Sequence, residues 1–171
     1  MKTYILLLIF CLSSNYLYAQ NNSAGFNVEP KQLFRSMFSV GGALVLKESN
    51  SEFKTSLGVS AELNIHINKG YYIGFGIMNH AVPTNKSTSA TNLYIYGKKG
   101  FFLSDNIAVY AGIGGTIGVI TKSDCCSGGG YFSLSADYFL NRYFGFGIEN
   151  KVLIQNTGTF ILPGITINFI L

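Results

Sequence analysis

From Leu57 to Ile67 every second residue is apolar: Leu57, Val59, Ala61, Leu63, Ile65 and Ile67. Between them stand Gly58, Ser60, Glu62, Asn64 and His66, all small or polar. After Asn68-Lys69-Gly70 the alternation resumes at Tyr71, Ile73, Phe75 and Ile77. A period of two sends successive side chains to opposite faces of a β-strand. Segments of this kind, 10 to 15 residues long, fill the chain after its first third of a hundred residues or so. Three breaks between them are tight: Asn68-Lys69-Gly70, Ser104-Asp105-Asn106 and Asn141-Arg142-Tyr143. Four others are mostly longer or more polar: KESNSE from Lys47, HAVPTNKSTSA from His80, TKSDCCSGGG from Thr121 and QNTGT from Gln155. The two kinds interleave strictly, which predicts eight strands near 36–47, 53–67, 71–81, 91–103, 107–121, 130–140, 143–155 and 159–171.

Alternation alone does not say which face is outside. The fifth strand sets Ile107, Val109, Ala111, Ile113, Ile117 and Val119 against Ala108, Tyr110, Gly112, Gly114, Thr116 and Gly118. The last sets Ile165, Ile167, Phe169 and Leu171 against Gly164, Thr166 and Asn168. One face is continuous and bulky; the other mixes glycine with polar groups. A soluble core holding Glu62, Asn64, His66, Asp137, Glu149 and Lys151 would bury charge at several kcal/mol apiece. Turned inside out, the pattern suits a closed antiparallel eight-stranded up-and-down transmembrane β-barrel, apolar toward lipid and polar within. Closure also satisfies every main-chain group.

Register sharpens this reading. With three-residue turns, Glu62 faces Gly76, Lys98 faces Gly112 and Asp137 faces Gly147. An eight-stranded barrel is only wide enough for side chains to fill, so large should face small. Lys99 is the awkward residue, since strict alternation sends it to lipid unless a bulge near Gly97 or Gly100 shifts the phase.

Composition agrees. Hydrophobic residues make up 48% and charged ones 12% of the 171 residues, the latter about half the share usual in soluble domains. Lys2, the apolar run Tyr4 to Leu12 and Leu17-Tyr18-Ala19 read as a secretory signal peptide over 1–19. The run is too short for a membrane-spanning helix. Cys11 follows Phe10, where a lipoprotein signal would need a small residue. Residues 20–35 form a polar, aperiodic lead-in expected in the periplasm, and 36–171 the barrel. A formal net charge of +4, less Lys2 after cleavage, is too weak to argue for nucleic acid.

Signal peptide, eight strands, short inner turns, polar lumen and the terminal GITINFIL together resemble the small outer-membrane β-barrel proteins of diderm bacteria, the OmpX-like and OmpA-transmembrane-like barrels. The resemblance covers nearly all of the mature chain. It implies residence in the outer membrane, contact with outer-membrane lipid, and handling by the secretion and barrel-assembly machinery. In that family the terminal strand usually ends in an aromatic residue; here Leu171 is last and Phe169 stands two before it.

The candidate chemistry is sparse. His66 and His80 both project inward, about 26 Å apart along the sheet at the rise of a strand, too far to share one metal. Glu149 and Lys151 share an inner face, with Asp137 diagonal to them. Paired carboxylates can serve acid–base catalysis, but Glu62, Lys98, Asp137, Glu149 and Lys151 read better as a structural charge network filling the lumen. GIGGTIG at 112–118 lies within a strand and lacks the Lys-Ser/Thr of a phosphate loop. Cys125 and Cys126 are adjacent; two loop thiols without a specific role, a strained vicinal bridge and a bond to another chain are the alternatives. No catalytic residue, metal or cofactor is expected. The resulting reading is a monomeric outer-membrane barrel without a solute-sized pore, structural, protective or interactive at the cell surface. A lipid-modifying outer-membrane enzyme and a soluble periplasmic ligand-binding barrel are its rivals.

Overall fold

The computed structural model describes residues 35–49, 52–82, 85–120 and 126–171. The signal peptide and most of the lead-in lie outside them. Eight antiparallel strands close into one up-and-down barrel, each paired with its chain neighbour and β1 with β8. They are β1 (Met37–Ser49), β2 (Glu52–Asn68), β3 (Tyr71–Val82), β4 (Asn85–Ser104), β5 (Ile107–Ile120), β6 (Cys126–Asn141), β7 (Phe144–Gln155) and β8 (Gly158–Ile170). The largest departures from the sequence expectation are the starts of β4 and β6. Asn85, Ser89 and Ala90 pair with β3 across a register shift, and glycine-rich Cys126 to Gly129 pair with β5, although the composition of both stretches reads as loop, because a neighbouring strand supplies the ladder that local propensity does not.

The tight turns are two-residue turns, at Lys69-Gly70, Asp105-Asn106 and Arg142-Tyr143. Lys69 and Gly70 both have positive φ, 45° and 77°, the requirement of a primed hairpin turn. In each hairpin the pairing skips one residue beside the turn, between His66 and Asn68, Phe102 and Ser104, and Phe139 and Asn141. A two-residue turn plus one bulged residue shifts the strands as a three-residue turn would. Glu62 therefore pairs with Gly76, Lys98 with Gly112 and Asp137 with Gly147. At this end, here the lower, the turns are stitched to the next strand: Gly100 N donates to Gly70 O (2.7 Å), Phe139 N to Asn106 O (2.7 Å) and Ile170 N to Tyr143 O (2.9 Å). Leu171 N donates to Ser36 O (2.9 Å) and closes the ring. At the upper end β7 and β8 meet in another two-residue turn, with Gln155 paired to Gly158.

The outer surface is apolar. Leu57, Val59, Ile113, Ile148 and Ile165 are each more than 60% exposed. The outward aromatics gather toward the lower rim, where Phe38 on β1 meets Phe169 on β8, which meets Phe144 and through it Phe146 on β7. Lys99 faces outward with them. The β4–β5 register runs unbroken from Ala90 to Phe102, so no bulge at Gly97 or Gly100 turns it inward. Instead its Nζ reaches down to donate to Lys69 O at 2.5 Å and lies 3.9 Å from the centre of the Tyr71 ring. The stem covers apolar surface while the ammonium sits at the turn. One lapse interrupts the ladders within the wall: β1–β8 pairing skips from Ala43↔Gly164 to Leu46↔Ile161, opposite Pro163, which has no N–H to give.

Charge on the two outward positions should have different costs. Ile113→Arg, in mid-wall, is expected to lose about 2–4 kcal/mol in bilayers, whereas Lys99→Leu near the rim should change stability by about 1 kcal/mol or less. Urea titration of the reconstituted barrel measures both; equal effects would overturn the assignment of the apolar face.

Candidate functional site

The lumen holds every candidate residue, and it is full. Inward side chains form three layers. The upper layer is Val45, Met78, Tyr94, Tyr96, Tyr131, Leu153, Phe160 and Leu162. The lower is Met37, Tyr72, Ala108, Tyr110, Phe139 and Ile170. Charged groups lie between and beside them. The lumen is thus more apolar than the sequence pattern implies, since aromatic and aliphatic side chains close both ends.

Glycine makes this possible. Gly74 pairs with Tyr96 and Gly76 with Tyr94, and each tyrosine ring lies over its glycine where a Cβ would be. Gly100 pairs with Tyr110, and a Cβ there would come within 2.7 Å of that ring. Phe139 covers Gly145 in the same way, at 2.8 Å. Laid flat, Tyr94, Tyr96 and Tyr131 stack on one another, with Tyr131 4.8 Å from each of the other two ring centres. Of the three glycines expected to make room for a charge, only Gly147 does, lying under Asp137. Gly76 serves Tyr94 and Gly112 serves Ser133, at 2.6 Å.

All five charged residues point inward and are at most 6% exposed. Three of them join. Lys151 Nζ on β7 spans the lumen to Glu62 Oε1 on β2 at 2.5 Å and holds Glu149 Oε2 at 2.9 Å. Tyr94 Oη donates to Glu62 Oε1 (2.9 Å) and Tyr96 Oη to Glu62 Oε2 (2.6 Å). Tyr96 Oη also lies 2.8 Å from Asn64 Oδ1, and Lys151 donates to Ser60 Oγ at 3.3 Å. Lys98 and Asp137 stand apart from this knot. Lys98 Nζ lies 4.8 Å from the centre of the Tyr110 ring, tying the charged layer to the lower plug. Asp137 Oδ1 and Glu149 Oε1 have no hydrogen-bond partner. Glu62, Asp137 and Glu149 against Lys98 and Lys151 make three carboxylates to two ammonium groups.

The histidines sit at opposite ends. His66 meets Tyr72 edge to face, with 5.3 Å between ring centres, at the lower end. At the upper mouth, His80 Nδ1 lies 3.0 Å from Ala81 O, and Nε2 is 3.1 Å from the Asn92 amide nitrogen. Asn92 Oδ1 in turn accepts from Gln155 at 2.7 Å. A neutral His80 with the proton on Nδ1 satisfies this chain. Among the described residues no group of three or more His, Cys, Asp or Glu side chains could hold a metal ion. Cys126 is a free, exposed thiol at the start of β6; Cys125 lies outside the described residues.

Periodicity does not single out the tyrosines, although the GFG triplets at 74–76 and 145–147 signal inward glycines that something large must cover. Their packing makes the network brittle. Lys151→Met should cost about 3–5 kcal/mol, because it leaves two facing carboxylates buried without their cation. Tyr96→Phe should cost about 1–3 kcal/mol by stranding Glu62 Oε2. Gly76→Leu should cost about 1–3 kcal/mol or more by overpacking against Tyr94. Unfolding midpoints in detergent check all three; unchanged midpoints for Lys151→Met and Gly76→Leu together would mean that the interior is not packed as described.

No protein-family model matches the chain, and no curated protein sequence matches it. Solved structures match its fold. Neisserial surface protein A superposes with a TM-score of 0.65 at 8% identity, over 80% of this chain and 97% of the other. The outer membrane protein OprG from Pseudomonas aeruginosa gives 0.58 at 10% identity, over 80% and 97% of the two chains. The attachment invasion locus protein Ail of Yersinia pestis gives 0.56 at 11% identity, over 79% and 98%. Closed topology, apolar wall and these likenesses agree: the chain has the fold of the small eight-stranded outer-membrane β-barrels.

Proposed function

We propose that the protein resides in the outer membrane as a sealed barrel, contributing structure, protection or surface contact to the envelope without conducting solutes. The observation that carries this reading is the filled lumen. Two apolar plugs and a cross-lumen Lys151–Glu62 bridge leave no continuous path for a sugar. The apolar wall with its lower aromatic rim supports insertion in lipid, since a soluble barrel would present that wall to water. A lipid-modifying activity gains no support from the histidines, which are drawn into the lumen, away from any acyl chain. With an even strand count, the three bulged tight turns face the periplasm and the β7–β8 turn the cell surface.

Two measurements test the reading. The folded protein should fractionate with the outer membrane and migrate differently on a gel before and after boiling; a protein soluble without detergent would refute it. Proteoliposomes should not swell in a disaccharide, and porin-like uptake would refute the sealed lumen. In intact cells producing the protein with its native cysteines replaced by serine, Asn156→Cys should react with an impermeant maleimide and Lys69→Cys should not; the reverse pattern would invert the topology.

A further inference from the structure

Lys99 is a cation on an apolar wall, and the structure holds it in place. It faces outward on β4, half-buried, with Tyr71, the first residue of β3, as its cross-strand partner. Its Nζ donates to Lys69 O at 2.5 Å and lies 3.9 Å from the centre of the Tyr71 ring. An ammonium group has three N–H donors; the carbonyl uses one, so donors remain for a further acceptor. Arg142 repeats the pairing of cation and ring at the β6–β7 turn, 4.7 Å from the centre of Tyr143. Tyr71 and Tyr143 are both exposed. Among the described residues, the lower rim outside the lumen carries Arg35, Lys69, Lys99 and Arg142 against the one acidic side chain of Asp105.

Directly above Lys99 on the same face is Gly97, and its outer side is bare. A Cβ added there would meet nothing within 4 Å. Ile73 on β3 and Ile113 on β5 pair with Gly97 on either side, and Ile95 stands outward above it. The wall therefore dips by one side chain, with isoleucine on three sides and the Lys99 stem below. Gly97 and Lys99 are two residues apart, about 7 Å along the strand. A hydrocarbon chain seated in the dip has its polar end at the ammonium group.

We propose that this face is a site for one anionic phospholipid of the periplasmic leaflet. Its phosphate meets Lys99, with the exposed Lys69 on the adjoining turn, and an acyl chain lies over Gly97. The chemistry selects this partner. Phosphate is a charge-assisted acceptor for lysine, and tyrosine rings sit at headgroup level. The excess of cations at the rim favours a lipid of net negative charge over a zwitterionic one. A soluble anion would answer the ammonium group but leave the dip uncovered. The proposal rests on the membrane reading above and on the lower rim facing the periplasm.

The test folds the mature chain into bilayers of equal parts phosphatidylglycerol and phosphatidylcholine, extracts it in mild detergent and weighs it intact with its bound lipid. Phosphatidylglycerol should be retained in preference. Lys99→Gln should reduce that preference roughly five-fold, the worth of one lysine near a charged lipid surface, and Lys99→Arg should keep it. Gly97→Leu leaves every charge in place and should also loosen the lipid, by filling the dip. Equal retention of the two lipids by the parent, or a preference untouched by Lys99→Gln, would overturn the proposal. So would an equal loss from Arg142→Gln, which would make the preference a diffuse property of the rim, and so would retention unchanged by Gly97→Leu. Gel mobility before and after boiling separates the two readings: a folded barrel without the preference sinks the lipid site alone, whereas a chain that never folds into lipid sinks the membrane reading beneath it.

Discussion

The width of a closed eight-stranded sheet is the constraint from which the rest follows. Side chains from opposite walls meet at its axis, so an inward residue can be large only where its neighbour is small. Glycine is the sole residue that lets a tyrosine ring lie against the sheet itself. Gly74 under Tyr96, Gly76 under Tyr94, Gly100 under Tyr110 and Gly145 under Phe139 are four instances of one solution. Rings laid flat present their faces to the lumen, and Tyr94, Tyr96 and Tyr131 stack there. Their hydroxyl groups are then carried to the axis, where Glu62 accepts two of them. Packing thus sets the electrostatics. The carboxylate is held by phenols whose positions glycines on the adjacent strand determine.

Lys151 turns that arrangement into a cross-brace. Its bond to Glu62 joins β7 to β2, strands that are not neighbours in the sheet. Ladder hydrogen bonds tie each strand only to the next, and so resist ovalisation of the barrel weakly; a contact across the lumen resists it directly. Burial of such charges is expensive unless each is well met. Here the cation has three oxygen partners within 3.3 Å, from Glu62, Glu149 and Ser60. The bridge is a device for shape, purchased at the expense of stability that aliphatic filler could have supplied.

Strand order, facing and the three charge–glycine pairings are legible in the sequence because a barrel wall has only two faces and a slip by one residue exchanges them. The bulges next to Lys69, Asp105 and Arg142 leave no mark on the alternation, since a two-residue turn with a bulge keeps the register of a three-residue turn. What covers each glycine was not legible. Gly76 has Glu62 on one side and Tyr94 on the other, and only the tilt of neighbouring side chains decides which leans over it. The same limit hid the two plugs: Val45, Met78, Leu153 and Leu162 are inward apolar residues that periodicity places but does not bring together. The repeated GFG at 74–76 and 145–147 finds its reason here, as both place paired inward glycines beneath large side chains.

The triplet Glu149-Asn150-Lys151 shows how such a wall tolerates a residue in the wrong medium. Glu149 and Lys151 point in, and Asn150 therefore points out. A slip by one residue would bring the amide into the lumen, where polar partners abound, but it would send both charges into lipid. Lysine alone costs about 2–4 kcal/mol at the membrane midplane, with a smaller addition for the glutamate, and Lys151 would also abandon Glu62. An unpaired amide costs roughly 1–3 kcal/mol. The charges win, and they fix β7 so firmly that its amide has no choice of side. Asn150 faces outward because Glu149 and Lys151 must face in, and the wall carries its unpaired Oδ1 as the lesser cost.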